Sequence, residues 1–321
     1  MTVLITGGAG FIGSHTAKRL LQAGERVRVL DNLDPFYAVS IKHRNLETCR
    51  ELGGDRFEFL EGDFRDAETC ARACEGVTRV LHLGALAGVR PSIQDPIRYM
   101  DVNVRGTQVL LQTVKDRPEV PFVYASSSSV YGGNKKVPFS EDDPVDHPVS
   151  PYAASKKATE VICYTHHHLY GNPVTGLRFF TVYGPGQRPE MAIHLFSKKL
   201  LNGEEIPMFG DGSTRRDYTF VDDIVEGVCK SLDKAEGHRI YNIGGSQTTE
   251  LRELIQTIED VFGKKANIRQ LPEQPGDVKQ TWADTSRIQE ELGFAPSTPV
   301  RTGVERFAEW YLREREAGHV E

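Results

Sequence analysis

The chain has 321 residues, of which 39% are hydrophobic and 26% charged, and its formal net charge is -6. That length allows about two domains with a sizeable core. The acidic balance gives no reason to expect nucleic acid or an anionic membrane as partner, and no apolar run approaches the ~20 residues of a membrane span. Cysteines at 49, 70, 74, 163 and 229 are odd in number and scattered, which fits a reducing, cytoplasmic setting better than a disulfide framework. A strand-like run starting at residue 2 leaves no room for a secretory leader. No metal is expected. Cys70 and Cys74 have no further ligand close in sequence, and His166, His167 and His168 point three ways around a helix.

Thr2 to Thr6 is a short β-rich run that leads into Gly7-Gly8-Ala9-Gly10-Phe11-Ile12-Gly13 and then a helical pattern ending at Ala23-Gly24. Glycines at 7, 10 and 13 allow a tight turn, a close approach to a pyrophosphate and close packing of helix on strand. The helix N-terminus then faces the phosphates. The next strand, Arg26 to Leu30, finishes on Asp31. A carboxylate there can accept the hydroxyls of an adenosine ribose and would repel a 2′-phosphate, so NAD is expected over NADP. Further strand-like runs follow at 56–61, 79–83, 122–125 and 174–179, with helical segments between them. This alternation predicts a Rossmann-type, doubly wound α/β fold with a parallel sheet.

The fifth run ends at Ser126-Ser127-Ser128-Ser129, so its hydroxyls are expected in the crevice at the carboxyl ends of the strands. A helix is then well marked over 151–170. Ser150 suits the N-cap, Pro151 the first helical position, and Gly171-Asn172-Pro173 the stop. On it, Tyr152 and Lys156 are four apart and share a face. An ammonium within reach of a tyrosine hydroxyl favours the phenolate. The spacing alone also fits an ordinary surface pair. The glycine turn and Asp31 supply its context.

Beyond residue 180 the chain is punctuated by Gly, Pro and charge, as in Gly184-Pro185-Gly186-Gln187-Arg188-Pro189 and Phe209-Gly210-Asp211-Gly212. Helical stretches are expected near 192–202, 221–232, 251–262 and 304–315. The expected division is a cofactor domain over 1–180, carrying Tyr152 and Lys156, and a smaller C-terminal α/β substrate-binding lobe over 181–321.

Together these motifs resemble the extended short-chain dehydrogenase/reductase family, which holds nucleotide-sugar epimerases, dehydratases and decarboxylases. The resemblance rests on Gly7-x-x-Gly10-x-x-Gly13, Asp63, Leu83-Gly84-Ala85-Leu86-Ala87, Asn103, Ala125-Ser126-Ser127-Ser128-Ser129-Val130-Tyr131-Gly132 and Tyr152-x-x-x-Lys156. It implies that some C-terminal segments return to the first lobe, so that the boundary is interleaved. It implies that NAD lies along Gly7, Gly10, Phe11, Ile12, Gly13, Asp31, Asn32, Asp63, Phe64, Leu83, Ala85, Ala87, Asn103, Tyr152 and Lys156. Ser127 takes the position that bonds the reacting hydroxyl. The family also places Arg90, Arg188, Arg216 and Asp277 around a UDP moiety, where an arginine fork suits phosphate. A homodimer through the helix 151–170 and the helix near 101–114 is implied by the resemblance alone.

Dehydratases of this group carry Asp-Glu directly after the catalytic hydroxyl residue, and decarboxylases usually carry a Glu there. This chain has Ser128-Ser129, with no carboxyl group to move further protons. Oxidation and re-reduction at C4 of the sugar is therefore the favoured chemistry. UDP-glucose 4-epimerases place Asn at the position of Thr181 and arginine at that of Gln274. The string Arg178-Phe179-Phe180-Thr181, with Asp34-Pro35-Phe36-Tyr37, resembles UDP-glucuronate 4-epimerases instead. The serines and Thr181 can receive a sugar carboxylate by hydrogen bonding. A UDP-glucose/galactose or relaxed-specificity epimerase remains open at this point, as does a non-catalytic NAD-binding protein on the same fold.

Overall fold

The computed structural model describes residues 1–273 and 278–320. Its centre is a seven-stranded parallel sheet. In chain order its first strands are β1 (Thr2–Thr6), β2 (Arg26–Asp31), β3 (Phe57–Glu61), β4 (Arg79–His82), β5 (Phe122–Ser127) and β6 (Val174–Phe179), and the seventh is His238–Ile243. Across the sheet the order is His238–Ile243, β6, β5, β4, β1, β2, β3. The direction of strand addition thus reverses between β1 and β4, the place where such sheets open a ligand crevice. The doubly wound α/β expectation is met.

The helices of the first part are α1 (Phe11–Gln22), α2 (Val39–Gly53), α3 (Ala67–Cys74), α4 (Val89–Gln94), α5 (Pro96–Met100), α6 (Gly106–Gln112) and α7 (Pro151–Tyr170). Between α5 and α6 the chain widens into one π-helical stretch, Asp101–Arg105. The inner strands of the sheet are largely buried on both faces, as a parallel sheet requires, while the edge strand β3 stays partly exposed. On one face α1 and α2 cover Val3, Ile5, Val27 and Val29. On the other, α3, α6 and α7 cover Leu4, Val80, Phe122 and Tyr124.

β5 runs two residues further than its apolar pattern suggests. Ser126 and Ser127 continue the ladder opposite Arg178 and Phe179, so backbone pairing, not hydrophobicity, sets that end. The strand His238–Ile243 pairs in parallel with β6, so the C-terminal part completes the first sheet. The remainder forms a smaller lobe, with Glu205–Phe209 pairing Asn267–Leu271 and helices Ala192–Asn202, Leu251–Phe262 and Val300–Glu316 packed around them. Among the described residues no helix is long and apolar enough to cross a membrane.

Candidate active site

A cavity of about 420 Å³ opens at the carboxyl ends of the strands. One wall is the turn between β1 and α1. Gly10 is the residue before the helix, and no side chain caps it, so the free N–H groups of the first turn point outward. A Cβ on Gly13 would collide with the Gly7 carbonyl. One on Gly10 would lie 3.1 Å from that same oxygen and 3.8 Å from the Tyr37 hydroxyl, facing the cavity. Gly13 therefore lets helix and strand close, while Gly10 leaves space for a ligand.

Asp31 ends β2 with its carboxylate almost fully buried. Oδ2 accepts the Ala9 N–H at 3.1 Å, and Oδ1 accepts the Leu33 N–H at 2.9 Å. Lys42 of α2 stands 3.4 Å from Oδ1. Sequence reading missed this partner, because a lysine on a charged helix carries no signal of where it points. Asp63 follows β3 and is held by Arg65 through backbone and guanidinium at 2.7–3.0 Å and by Asn32 Nδ2 at 3.0 Å. These bonds and charges hold its carboxyl below the usual range against the cost of burial.

At the other end lie Tyr152 and Lys156. The helix that carries them starts where its sequence says. Ser150 accepts the Ala153 N–H, Pro151 follows it, and Gly171 closes the helix with φ 80°. Ser127 and Tyr152 line the same cavity. Burial pushes the phenol up, and the polar Ser127 side chain and the Arg188 charge pull it back. Lys156 is 4% exposed, donates to the Ala125 carbonyl at 2.8 Å, and is lowered by burial to about 8. Burial is thus the dominant influence on the phenol, with Ser127 and Arg188 opposing it.

Ser127, Ser128, Ser129, Thr181 and Arg188 line the same cavity, together with Phe11, Ile12, Phe64, Leu83, Ala85, Ala87 and Asn32. Ser128 opens a short 3-10 turn to Tyr131, which turns the serines across the crevice. Asn103 stands one layer back. It bonds both polar groups of Leu86 at 2.8 and 2.9 Å and Ser155 Oγ at 2.9 Å, fixing the loop after β4 to α7. Arg90 and Arg216 are not in the cavity wall; Arg90 lies 4.7 Å over the Phe209 ring. Asp277 and Gln274 lie outside the described residues.

Behind the serines sits a buried network that the sequence did not reveal. Glu160, one turn beyond Lys156, forms a two-pronged pair with Arg178 at 2.8 and 2.9 Å. Ser126 donates to the same carboxylate at 2.6 Å, and Arg178 donates to the Tyr131 hydroxyl at 3.0 Å. The pair locks α7, β5 and β6 into one unit.

The cavity suits a dinucleotide. It offers a helix N-terminus over a side-chain-free glycine, a carboxylate at one end for a diol, and a buried ammonium at the other. Known proteins agree. A sequence profile of the NAD dependent epimerase/dehydratase family matches residues 3–244. UDP-glucuronate 4-epimerase 3 of Arabidopsis thaliana is 42% identical, over 97% of this chain and 76% of that protein. The crystal structure of UDP-glucuronic acid 4-epimerase from Bacillus cereus, in complex with UDP-glucuronic acid and NAD, superposes with a TM-score of 0.92. It is 34% identical and covers 98% of this chain and 99% of that one. UDP-glucose 4-epimerase from Thermotoga maritima, with UDP-glucose, gives 0.89 at 31% identity, covering 98% and 100%.

Proposed function

The chain belongs to the NAD dependent epimerase/dehydratase family, and from that premise we propose that it interconverts UDP-glucuronate and UDP-galacturonate through a 4-keto sugar. The observation that carries this reading is the composition of one cavity. Tyr152, Ser127 and Lys156 share it with a wall of uncharged hydroxyls, Ser128, Ser129 and Thr181.

NAD, when bound, supplies the hydride acceptor and donor for C4 of the sugar. Gly7, Gly10 and Gly13 would hold its pyrophosphate, Asp31 its adenosine ribose, and Lys156 its nicotinamide ribose. Tyr152 removes the proton from the 4-hydroxyl and later returns it. Ser127, which shares the cavity with the phenol, orients that hydroxyl for the transfer. The sugar turns about its link to the diphosphate between these events and presents its other face. Ser128, Ser129 and Thr181 receive the uronate carboxylate, and Arg188, which lines the same cavity, meets the diphosphate. The 4-keto uronate is a β-keto acid, and loss of carbon dioxide requires the breaking bond to overlap the carbonyl π-system. Hydroxyls that pin the carboxylate near the carbonyl plane oppose that overlap.

The enzyme acts as a homodimer in the cytoplasm. Ile97 is 80% exposed, and Met100, Val161 and Tyr164 are also exposed, which leaves an apolar surface on α5 and α7 of the kind that marks an interface. All cysteines are free thiols, in keeping with a reducing compartment. The decisive experiment incubates the protein with UDP-glucuronate and, separately, with UDP-glucose and resolves the products by chromatography. UDP-galacturonate is expected to dominate. Faster conversion of UDP-glucose would overturn the substrate assignment.

A further inference from the structure

The adenosine end of the cavity carries an ion pair that a lone carboxylate after β2 does not prescribe. Lys42 and Asp31 line the cavity together with Tyr37, and their side chains are only 8% and 5% exposed. The Lys42 ammonium lies 5.3 Å from the centre of the Tyr37 ring. The Tyr37 hydroxyl in turn stands 3.8 Å from the Cβ position of Gly10. Lysine, ring and glycine turn thus form one continuous wall. The neighbouring charges are matched elsewhere: Asp63 binds Arg65 and Asn32, and Arg65 also binds Asp101 at 2.6 Å.

We propose that Lys42 sets how strongly this protein discriminates NAD from its 2′-phosphorylated counterpart. The proposal deepens the NAD-binding reading and rests on it. An isolated carboxylate beside the ribose repels a 2′-phosphate strongly, because the two anions meet in a poorly solvated place. With the Lys42 ammonium 3.4 Å away, the phosphate meets a nearly neutral pair whose compact cation can donate to it. The ribose hydroxyls of NAD, being uncharged, feel this compensation much less. Lys42 therefore narrows the preference for NAD without reversing it.

The test is calorimetric titration of nucleotide-free protein with NAD and with NADP, read as the ratio of the two dissociation constants. Lys42→Met should raise the NADP-to-NAD ratio about tenfold or more, since the uncompensated Asp31 then faces the phosphate. Lys42→Arg, which keeps the charge, should stay near wild type. Asp31→Asn with Lys42 retained should lower the ratio and gives a second reading should the methionine variant fold poorly. An equal weakening of both cofactors in Lys42→Met, or a fall in the ratio, would show that Lys42 only props the loop. An Asp31→Asn ratio equal to wild type would overturn the proposal as well. Wild-type protein that binds neither nucleotide would instead refute the NAD-site reading itself.

Discussion

At the scale of single residues the site separates binding from chemistry. Tyr152→Phe keeps the ring against Tyr99, 6.2 Å away between centroids, and removes the acid–base group. Turnover should fall at least ~10²-fold while calorimetric NAD affinity stays near wild type; near-normal epimerisation would refute the mechanism. Gly10→Val should do the reverse. Its Cβ meets only the Gly7 carbonyl and the Tyr37 hydroxyl within 4 Å, so the fold should survive while the branched methyls occupy the pyrophosphate's place and titratable NAD binding is lost. Thr181→Val removes a donor at constant shape. A hydrogen bond to a charged group contributes about 1.5–3 kcal/mol, so kcat/KM for UDP-glucuronate should drop on the order of 10- to 100-fold. A neutral UDP-hexose should be affected far less, and equal losses would assign Thr181 to the fold. Lys156 gives a stability prediction with a definite sign. Its folded value of about 8 lies below the ordinary 10.5, so between these values the unfolded chain holds more protons and stability rises with pH. Below pH 8 the buried charge is a full burden. Nucleotide-free Lys156→Met should therefore melt above wild type at pH 7, with a gap that closes from pH 8 to 10, although the variant is inactive. A lower melting point at pH 7 would mean that the bond to the Ala125 carbonyl outweighs desolvation.

At the scale of elements, α7 shows what a sequence tells directly and what it withholds. Its start and stop are local chemistry: Ser150 capping Ala153, Pro151 in the first turn, Gly171 in a left-handed conformation. Such signals act within a few residues and are readable without a fold. Glu160 lies on the same face as Tyr152 and Lys156, yet its partners Ser126 and Arg178 sit on different strands, and only the ladder between β5 and β6 brings them together. Periodicity cannot announce such a contact. Arg178→Leu leaves the Glu160 carboxylate buried beside Ser126 alone, and breaking a buried pair from one side typically costs about 3–5 kcal/mol. Denaturant unfolding should show a loss of that size. A change below ~1 kcal/mol would mean that water reaches the carboxylate. For the same reason Lys42 was overlooked in the sequence, and the bonds of Asn103 to Leu86 and Ser155 could not be read there. The destination of a polar side chain is a tertiary fact.

For the whole molecule, the first six strands were legible from apolar runs and glycine turns. The seventh was not, because His238–Ile243 reads as a short stretch among loops until β6 is known to need a neighbour. The apolar surface that α5 and α7 leave exposed was equally hidden. The exposed Ile97, Met100, Val161 and Tyr164 lie on two helices separated in sequence. If they form the subunit contact, Val161→Glu should turn a dimer mass by light scattering into a monomer mass; a monomeric wild type at micromolar concentration would remove the dimer altogether. The late strand has a further consequence, for how the chain is made. A ribosome delivers α7, with its tyrosine and lysine, well before residue 243 emerges. Until then β6 presents a bare parallel edge, the kind of surface that captures other nascent chains. Protection of that edge and construction of the substrate lobe happen in one stretch of synthesis, so a prematurely ended chain should aggregate instead of accumulating as a folded nucleotide-binding half.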